Sequence, residues 1–500
     1  MRPIRCEKLF MAKTFYIKTF GCQMNYADSE KINMILLSAG MRKVIDPTKA
    51  DILIMNTCSV RQKGEDRVFG FINEVSRYHK KNHTGIHPLF GITGCMVRKS
   101  GMAKRYLIDE AGNMKNEFYK RHGTRRIELI NDINSLLNYD DELFLRSQSI
   151  DFTFRIEEVT FLTKILSLIL GEDIGNDAKW NEYLAVRQYQ ENPASANIII
   201  QTGCDNFCTF CIVPYTRGRE TSRSQDDIVS EIREVVLSGT KEVTLLGQNV
   251  NSYGKETRAK LWNSEELTWA SKNVKTPFRE LLEEVNKIEG LDRIRFTSSN
   301  PHDMTKDILD AHFELPKMGK YLHFALQSGS DTMLKRMNRK HTYLDFKNQV
   351  QYLRSRDPLF SISTDIIVGF PGETLEEFEA TIHAMRECDF DFAYIARYSP
   401  RSGTLATDKY EDDISPIEKA KRWNILNDML QSSVQNRSKL MIGREDEILI
   451  SGRGKFNDWV GRTKNFKEVY IPESSEVKIG DIVKVKITEL DGWVLRGNLL

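Results

Sequence analysis

Between Phe15 and Cys95, short runs of β-type apolar residues alternate with longer stretches of helical periodicity. The β-type runs are TFYIKTF, ADILIMNT and PLFGIT, and the helical stretches between them are DSEKINMILLSAG and RQKGEDRVFGFINEVSRYH. Strands that alternate with helices predict a parallel sheet with right-handed crossover connections. The pattern therefore predicts an N-terminal α/β domain, to which we assign residues 11–135.

A second series of β-type runs begins at Ala196. Its members are NIIIQTG, EVTLLGQ, RIRFTSS, LHFALQS, SISTDIIVGF and DFAYIARYS, with helical patterns between most of them. Six such units predict an incomplete (β/α)6 barrel rather than a closed eight-stranded one. We assign this barrel to residues 191–435 and expect a surface insertion at residues 255–275.

The pattern changes again near the C-terminus. Ser415, Pro416 and Glu418 form a capping-box signature that predicts the start of a helix. After Ile442 the sequence reads as short strands, and Asp491-Gly492 marks a hairpin turn. These signals predict a small all-β domain at residues 436–500, so the overall fold class is α/β with three domains.

The stretch between the first two domains is mixed and charged. Its clearest helical pattern is TRRIELINDINSLLN, and we assign residues 136–190 to an insertion or linker. The sequence gives no function for residues 100–190.

Composition narrows the class of protein. The 500 residues are 40% hydrophobic and 28% charged, which is typical of packed domains rather than of a disordered or membrane protein. The run FLTKILSLILG contains Lys164 and is too short to span a bilayer of about 30 Å. The N-terminus lacks the apolar run of a secretory signal, and Met11 reads as naturally as a start as Met1. A cytoplasmic enzyme is the expectation.

The formal net charge of +2 gives no large basic field. Any contact with nucleic acid must therefore come from local patches.

Three cysteines follow the first barrel strand with the spacing C-x3-C-x2-C. They are Cys204, Cys208 and Cys211. A closed zinc site requires four ligands, whereas a 4Fe-4S cluster on three cysteines leaves one iron open for another ligand. A structural zinc and incidental loop cysteines remain the alternatives.

Three more cysteines follow the strands of the N-terminal domain. Cys22, Cys58 and Cys95 each come directly after one β-type run. Because the carboxyl ends of parallel strands share one edge, the three thiols are expected to meet there and hold a second cluster. Taken singly, each would read as a buried core cysteine. Cys6 and Cys388 lack such a context and are read as incidental.

The motifs around these cysteines resemble the methylthiotransferase family of the radical S-adenosylmethionine (SAM) superfamily. They are GCQMNYADSE, MNTCSVRQKGEDRVFG, TGCMVRK, GCDNFCTFCIVPYTRGRETSRS, LLGQNVNSYG, ALQSGS, MNRKHT, DIIVGFPGET and YSPRSGT. The resemblance runs from about residue 15 to the C-terminus, and the residues after Cys22 favour the branch that acts on tRNA. The long stretch at 100–190 and the insertion at 255–275 depart from the family pattern.

The resemblance implies two 4Fe-4S clusters and SAM as cofactors. Cys22, Cys58 and Cys95 would hold the auxiliary cluster, whereas Cys204, Cys208 and Cys211 would hold the cluster that binds SAM. One SAM would methylate a sulfur on the auxiliary cluster. A second would yield the 5′-deoxyadenosyl radical that removes hydrogen from carbon 2 of N6-isopentenyladenosine beside the tRNA anticodon, where the methylthio group is then added.

Further partners follow from the same resemblance. The C-terminal domain would be an RNA-binding TRAM domain. An electron donor of flavodoxin or ferredoxin type and a sulfur or cluster carrier would serve a monomeric enzyme.

Polar residues at the ends of the barrel strands are candidates for SAM contacts, because (β/α) barrels place their sites on that face. They are Gly247, Gln248, Asn249, Ser298 and Gln327. Ordinary loop capping explains any one of them equally well. By family resemblance, Phe210 would pack on the adenine.

Charged residues near the cysteine loop and in the last domain are candidates for RNA contact. They are Arg217, Arg219, Glu220, Arg223, Arg462, Lys464 and Lys467. Guanidinium groups suit phosphates, and Tyr470 and Trp493 add aromatic rings of the kind RNA surfaces use. A solvated charged loop is the alternative.

Three other functions stay open from sequence. The same chemistry could act on threonylcarbamoyl-adenosine in tRNA or on an aspartate of a ribosomal protein. A non-catalytic iron-sulfur RNA-binding module is the third possibility, and cleavage of SAM by the reduced protein would eliminate it.

Overall fold

The computed structural model describes residues 13–58, 62–82, 88–97, 147, 149–170, 172–174, 182–188, 193–255, 275–401 and 403–500. The helix predicted at 124–138, most of the insertion at 255–275 and the first ten residues lie outside this part. The chain forms two compact units. One comprises Met1–Tyr189 with Tyr215–Arg217, and the other comprises Gln190–Pro214 with Gly218–Leu500.

The N-terminal unit contains the predicted parallel sheet. Within the described residues its five strands lie side by side in the order Arg42–Lys43, Thr14–Phe20, Ile52–Thr57, Leu89–Gly94 and Phe152–Thr153. The α-helices among the described residues of this unit are Gln23–Ser38, Gln62–Lys81 and Leu162–Leu170, and short 3-10 helices span Pro47–Lys49, Ile156–Phe161 and Tyr183–Ala185. Every residue of the central strand Ile52–Thr57 is buried, as expected for a strand covered on both faces.

The second unit contains six consecutive parallel barrel strands among the described residues, as predicted. Ser195–Ile199, Glu242–Leu246 and Arg293–Phe296 form one three-stranded sheet, and Tyr321–His323, Ser361–Val368 and Phe392–Arg397 form another. Single bridges, such as Ser299 to Phe324, connect the two sheets. The short strands Gln201–Thr202 and Thr221–Ser222 pair antiparallel beside the loop that carries Cys204, Cys208 and Cys211.

Helices cover the outer face of these six strands. Among the described residues they are Gln225–Leu237, Pro277–Asn286, Lys306–Glu314, Tyr343–Arg356, Leu375–Cys388 and Pro416–Lys439. The same part of the chain also contains the short helices Val213–Thr216, Asp331–Arg336 and Leu405–Lys409 and the 3-10 helices Val250–Ser252 and Pro301–Asp303. The outer face is apolar and packs into one core, to which Ile198, Leu245, Ile294, Leu322 and Ile362 contribute.

The long helix Pro416–Lys439 begins where its cap signature predicts. The Ser415 hydroxyl accepts a hydrogen bond from the Glu418 amide at 3.2 Å. The Glu418 carboxylate accepts from Arg422 Nε at 2.9 Å, one helical turn further along. The N-cap is therefore confirmed, while Glu418 supports the helix through an ion pair.

The last sixty residues form a closed barrel. Within the continuously described range 403–500 its five strands are Glu445–Arg453, Trp459–Arg462, Glu468–Ile471, Ile482–Asp491 and Val494–Leu499. Asp491 pairs with Val494 across the predicted hairpin turn, and Gly492 takes a φ of +62° that favours glycine. The sequence pattern predicts this small β domain correctly but misses the strand Trp459–Arg462.

Candidate active site

The three N-terminal cysteines lie where neighbouring strands of the parallel sheet end. Phe20 is paired with Thr57, and Thr57 with Gly94. The amide of Cys58 donates to the Phe20 carbonyl at 2.8 Å, and the amide of Cys95 donates to the Thr57 carbonyl at 2.8 Å. Both cysteines therefore extend the sheet ladder by one bond at the same edge.

Cys22 reaches this edge from the start of the helix Gln23–Ser38. Its backbone amide donates to Asn25 Oδ1 at 3.2 Å, and Asn25 Nδ2 donates to the Thr57 carbonyl at 3.2 Å. Asn25 thus ties the turn that carries Cys22 to the strand that carries Cys58. The sequence pattern gave Asn25 no structural role.

The environment of Cys22 favours a thiolate. A hydrogen bond with Cys58 is the largest influence and lowers the pKa of Cys22, whereas burial raises it. The backbone amide of Asn25 and the charge of Arg217 lower it further, and the resulting pKa is about 6. A thiolate is the form of cysteine that binds iron. This edge of the sheet is therefore suited to a metal cluster.

Arg217 occupies a buried position in the N-terminal unit. Its guanidinium pairs with the buried Asp28 carboxylate, which also accepts a hydrogen bond from the Tyr183 hydroxyl. The Arg217 charge acts on both Cys22 and Cys95. Because Arg217 is buried and paired with Asp28, we propose that it supports the cysteine edge rather than contacting RNA.

The second cysteine loop depends on one glycine conformation. Gly203 has a φ of +80°, and a Cβ atom there would overlap the backbone carbonyl of Arg219. The next residue, Cys204, donates its amide to the Gly218 carbonyl at 3.1 Å, and Cys211 donates to the Cys208 carbonyl at 2.9 Å. The returning chain at Gly218 therefore closes the loop that carries the three cysteines.

Residues of the MNRKHT motif hold this loop from the other side. Asn338 Nδ2 donates to the carbonyls of Asn206 and Phe207 at 3.2 and 2.9 Å. Arg339 donates to Cys208 Sγ at 3.4 Å and to the Ala325 carbonyl at 2.7 Å. The sequence comparison included this motif but gave its residues no role, because the contacts span about 130 positions in sequence.

The protein environment of Cys204 disfavours its thiolate form. Burial, with the nearby Glu220 and Cys208 adding to it, raises the pKa of the Cys204 thiol to about 12. In the described part of the chain, no three or more His, Cys, Asp or Glu side chains are arranged to hold a single metal ion. A 4Fe-4S cluster binds each cysteine to a different iron, so its ligands lie further apart than those of one ion.

The barrel mouth offers buried oxygens that accept no hydrogen bond from any described residue. They belong to the side chains of Gln201, Gln248, Asn249 and Gln327. Unsatisfied buried acceptors are costly unless a ligand donates to them. The amino group and ribose hydroxyls of SAM are donors of this kind, so the site fits that cofactor chemically.

The SAM-contact candidates at the strand ends, Gly247, Gln248, Asn249, Ser298 and Gln327, lie at this mouth. A Cβ atom on Gly247 would meet Gln201 at 2.7 Å, and Asn249 Nδ2 donates to Asp303 at 2.7 Å. Ser298 and Gln327 take left-handed φ angles of 66° and 73° at their strand ends. Phe210 packs against the separate apolar cluster of Met333, Met337, Phe370, Tyr398 and Ala406.

Glu220 belongs to the same mouth. Its carboxylate accepts from Ser252 Oγ at 2.9 Å and from the Asp205 amide at 3.3 Å. Burial raises the pKa of Glu220 to about 7. We therefore propose a role at the barrel mouth for Glu220, together with Ser252 and Asp303, which the sequence pattern did not single out.

The two remaining arginines of this region differ in exposure. Arg219 is half exposed, pairs with Asp205 at 3.2 Å and lies 4.9 Å from the centre of the Phe207 ring. Arg223 is buried, pairs with Glu231 at 2.5 Å and donates to the Ile199 carbonyl at 2.9 Å. RNA contact remains a prediction for Arg219, whereas for Arg223 we propose a structural ion pair rather than RNA contact.

The loop 462–467 docks the C-terminal barrel at the amino ends of the (β/α) strands. Arg295 pairs with Glu242 at 2.7 Å and donates to the Thr463 carbonyl at 2.8 Å. Phe466 stacks on Tyr321 with ring centres 4.4 Å apart. The loop therefore lies at the end of the strands opposite the cysteine loop.

The charged residues of this loop take part in the docking. Lys467 pairs with the buried Asp391 at 2.7 Å, and the Lys464 carbonyl accepts from the Lys320 amide at 2.9 Å. We propose docking rather than RNA contact for Lys464 and Lys467. Arg462 is half exposed and pairs with Glu468 at 3.3 Å, so its RNA contact remains a prediction.

We expect Arg295→Met to loosen this docking. The change leaves the Glu242 carboxylate and the Thr463 carbonyl buried without their donor, which costs about 3 kcal/mol. Peptides covering residues 459–471 should then exchange amide hydrogen about a hundredfold faster. Arg462→Ala, which removes a half-exposed pair, is the control and should change exchange less than threefold; equal protection in both variants would contradict the docking role.

Three family descriptions match the chain in separate ranges. The Radical SAM superfamily matches residues 198–385, the TRAM domain matches residues 439–500, and the family described as Uncharacterized protein family UPF0004 matches residues 14–112. The partial barrel with its three-cysteine loop lies in the first of these ranges. The fold and the match define a radical SAM protein.

Curated relatives define the family more narrowly. A tRNA-2-methylthio-N(6)-dimethylallyladenosine synthase of Clostridium botulinum is 36% identical over 486 residues, covering 97% of this chain and 96% of the relative. Proteins with the same name from Clostridium tetani and Clostridium novyi are 36% and 34% identical over 491 and 495 residues. They cover 97% and 98% of this chain, and 96% and 97% of the respective relatives. The chain belongs to the family of tRNA-2-methylthio-N(6)-dimethylallyladenosine synthases.

A solved structure supports the fold alone. The radical S-adenosylmethionine methyltransferase TsrM of Kitasatospora setae, solved with cobalamin and a 4Fe-4S cluster bound, has a TM-score of 0.50 at 11% identity. The match covers 79% of this chain and 77% of TsrM. Membership of the radical SAM superfamily implies one 4Fe-4S cluster and SAM as cofactors. No described helix has the length and apolar character that a bilayer crossing requires.

Proposed function

We propose that the protein adds a methylthio group to carbon 2 of N6-isopentenyladenosine beside the tRNA anticodon, giving 2-methylthio-N6-isopentenyladenosine. The observation that carries this proposal is the similarity to synthases of that name over 97% of the chain. The similarity spans both cysteine sites and the C-terminal barrel. A family match limited to the radical SAM range would leave the target open.

We assign two 4Fe-4S clusters to the two cysteine sets. Cys204, Cys208 and Cys211 would hold the cluster that binds SAM, and Cys22, Cys58 and Cys95 would hold the auxiliary cluster. When bound, these groups supply the one-electron chemistry and the sulfur that protein side chains lack. The assignment of the auxiliary cluster is supported by the sheet edge that the three cysteines share and by the lowering of the Cys22 pKa by Cys58 and Arg217.

The protein's own residues would orient these groups. Asn338 and Arg339 fix the loop of the SAM cluster, and an arginine that donates to a cysteine sulfur helps to stabilise its negative charge. The unsatisfied amide oxygens at the barrel mouth would accept hydrogen bonds from SAM. Phe210 keeps its proposed contact with the adenine.

The remaining partners complete the proposal. The match to a TRAM domain and the relatives' names support tRNA as the substrate. An electron donor of flavodoxin or ferredoxin type, a sulfur or cluster carrier, a monomeric state and a cytoplasmic location are also proposed. The domain limits 11–135, 136–190, 191–435 and 436–500 are part of the same proposal.

The test is an anaerobic reaction of the cluster-reconstituted protein with SAM, a reductant and three anticodon stem-loop RNAs. The RNAs carry adenosine, isopentenyladenosine or threonylcarbamoyl-adenosine at the target position. We expect mass spectrometry of the nucleosides to find the methylthio product from the isopentenylated RNA alone. Product from the threonylcarbamoylated RNA, or 5′-deoxyadenosine without any modified RNA, would contradict the substrate assignment.

A further inference from the structure

An exposed pair of aromatic rings lies on the edge strand Phe392–Arg397 of the (β/α) barrel. Phe392 and Tyr394 are 45% and 46% exposed, whereas Ala393 between them is 4% exposed and packs in the core. Because side chains alternate along a strand, the two rings share its inner face. Their centres are 4.8 Å apart in an edge-to-face contact. The barrel interior is therefore lined at this edge by accessible aromatic surface.

A fixed carboxylate lies beside these rings. Asp365 is paired with Tyr394 in the neighbouring strand, and Ser363 with Phe392. His323 places Nε2 3.1 Å from Asp365 Oδ2 and Nδ1 2.8 Å from Ser363 Oγ. The Asp365 side chain is 36% exposed. Held by His323, this carboxylate is oriented and still open to the barrel interior.

The backbone joins this group directly to the barrel mouth. The amide of Gln327, a predicted SAM contact, donates to the Asp365 carbonyl at 2.8 Å. Asp365 lies within the strand Ser361–Val368, four residues before Gly369, which directly follows the carboxyl end of that strand. Asp365 and Tyr394 therefore lie deeper in the interior than the residues proposed to hold SAM, and Phe392 lies deeper still, at the amino end of its strand next to Asp391.

The chemistry of this wall matches a prenylated adenine. Aromatic rings stack on a base and pack against a branched alkenyl chain, and exposed apolar area of this kind marks a binding surface. A carboxylate accepts the single hydrogen of the N6 amine. The same carboxylate would repel the acid group of threonylcarbamoyl-adenosine, because like charges close together in a partly desolvated site are strongly disfavoured.

We propose that Asp365, Phe392 and Tyr394 form the pocket that receives the isopentenyladenine of the RNA, with the aromatic pair holding the isopentenyl chain and the Asp365 carboxylate, oriented by His323, excluding the anionic threonylcarbamoyl group. This inference rests on the proposed function and adds the basis of its substrate choice. Asp365 is a specificity-determining residue, and His323 is a positioning residue.

The first test measures KM and kcat with the isopentenylated stem-loop RNA. Tyr394→Ala and Phe392→Ala should each raise KM about tenfold, because burial of a ring against the substrate is lost. Tyr78→Ala removes a ring of equal exposure, 45%, in the N-terminal unit and serves as the control. An unchanged KM in both Tyr394→Ala and Phe392→Ala would overturn the aromatic part of the pocket.

The second test is competition. Asp365→Asn keeps the shape of the side chain and removes its charge, so RNA carrying threonylcarbamoyl-adenosine should inhibit this variant at about tenfold lower concentration than it inhibits wild type. Asp428→Asn, on the exposed face of the helix Pro416–Lys439, should leave the inhibition unchanged. Equal inhibition of wild type and Asp365→Asn would overturn the exclusion role.

The two levels of the proposal fail differently. If wild type forms no methylthio product from the isopentenylated RNA, the proposed function fails. If wild type forms the methylthio product and Phe392→Ala, Tyr394→Ala and Asp365→Asn behave as their controls do, the proposed function stands and the proposed pocket is wrong.

Discussion

Replacing Cys208 with alanine is expected to lower the rate of 5′-deoxyadenosine formation about a thousandfold or more, which corresponds to an increase of about 4 kcal/mol in the activation free energy. Only three cysteines of the loop are available as ligands, and Cys208 is also the sulfur to which Arg339 donates at 3.4 Å. Its loss leaves two ligands for a cluster that must keep one iron open for SAM. The measurement is the rate of SAM cleavage by the reduced, reconstituted protein.

Cys388→Ala provides the matched control. Cys388 is 1% exposed and packs in the core of the same barrel, away from the cysteine loop. Its loss creates a small cavity and should leave SAM cleavage within about threefold of wild type. Cleavage by Cys208→Ala at the rate of Cys388→Ala would contradict the assignment of the loop.

Replacing Cys58 with alanine is expected to separate the two halves of the reaction. The cysteine loop of the barrel is untouched, so the reduced protein should still form 5′-deoxyadenosine. The methylthio product should fall below detection, and iron and sulfide should fall to about half, because one of two clusters lacks a ligand. The measurement pairs nucleoside mass spectrometry with metal analysis of the same sample.

The outcome that would contradict the second cluster is specific. Methylthio product from Cys58→Ala at a rate near that of wild type would show that the N-terminal sheet edge does not take part in the reaction. Loss of SAM cleavage in the same variant, with the loop cluster intact by spectroscopy, would show that the two cysteine sets are not independent.

The carboxyl and amino ends of the (β/α) strands have different roles. The carboxyl ends hold the cysteine loop and the unsatisfied acceptors of Gln248 and Gln327. The amino ends hold the C-terminal barrel through Arg295 and Lys467. Sites in (β/α) barrels occupy the carboxyl face, whereas the opposite face serves stability. The docking loop therefore attaches the TRAM domain without occupying the active-site face.

The sequence predicts the elements of this fold well where local patterns determine them. The buried runs at Ile52–Thr57 and Ser361–Val368 are apolar along their length or on one face, and the strands form at those positions. The cysteine edge also follows from local pattern, because Cys58 and Cys95 come directly after their strands and Cys22 follows its strand after Gly21.

The supporting contacts are not local and could not be predicted in this way. Asn338 reaches the Phe207 carbonyl across 131 positions, and Arg217 reaches Asp28 across 189. A basic side chain near a functional loop reads alike whether it contacts RNA, forms a buried ion pair as Arg223 does, or docks a domain as Lys467 does. Burial and partners decide among these roles, and the sequence of one chain specifies neither.

The central claim is that carbon 2 of the isopentenyladenine is the site of attack, and the most direct measurement follows the hydrogen at that carbon. The reduced protein is given SAM and a stem-loop RNA whose isopentenyladenosine carries deuterium at carbon 2. We predict that 5′-deoxyadenosine gains deuterium in proportion to the methylthio product, and that the product has lost it. Methylthio product that forms while 5′-deoxyadenosine stays free of deuterium would contradict the account.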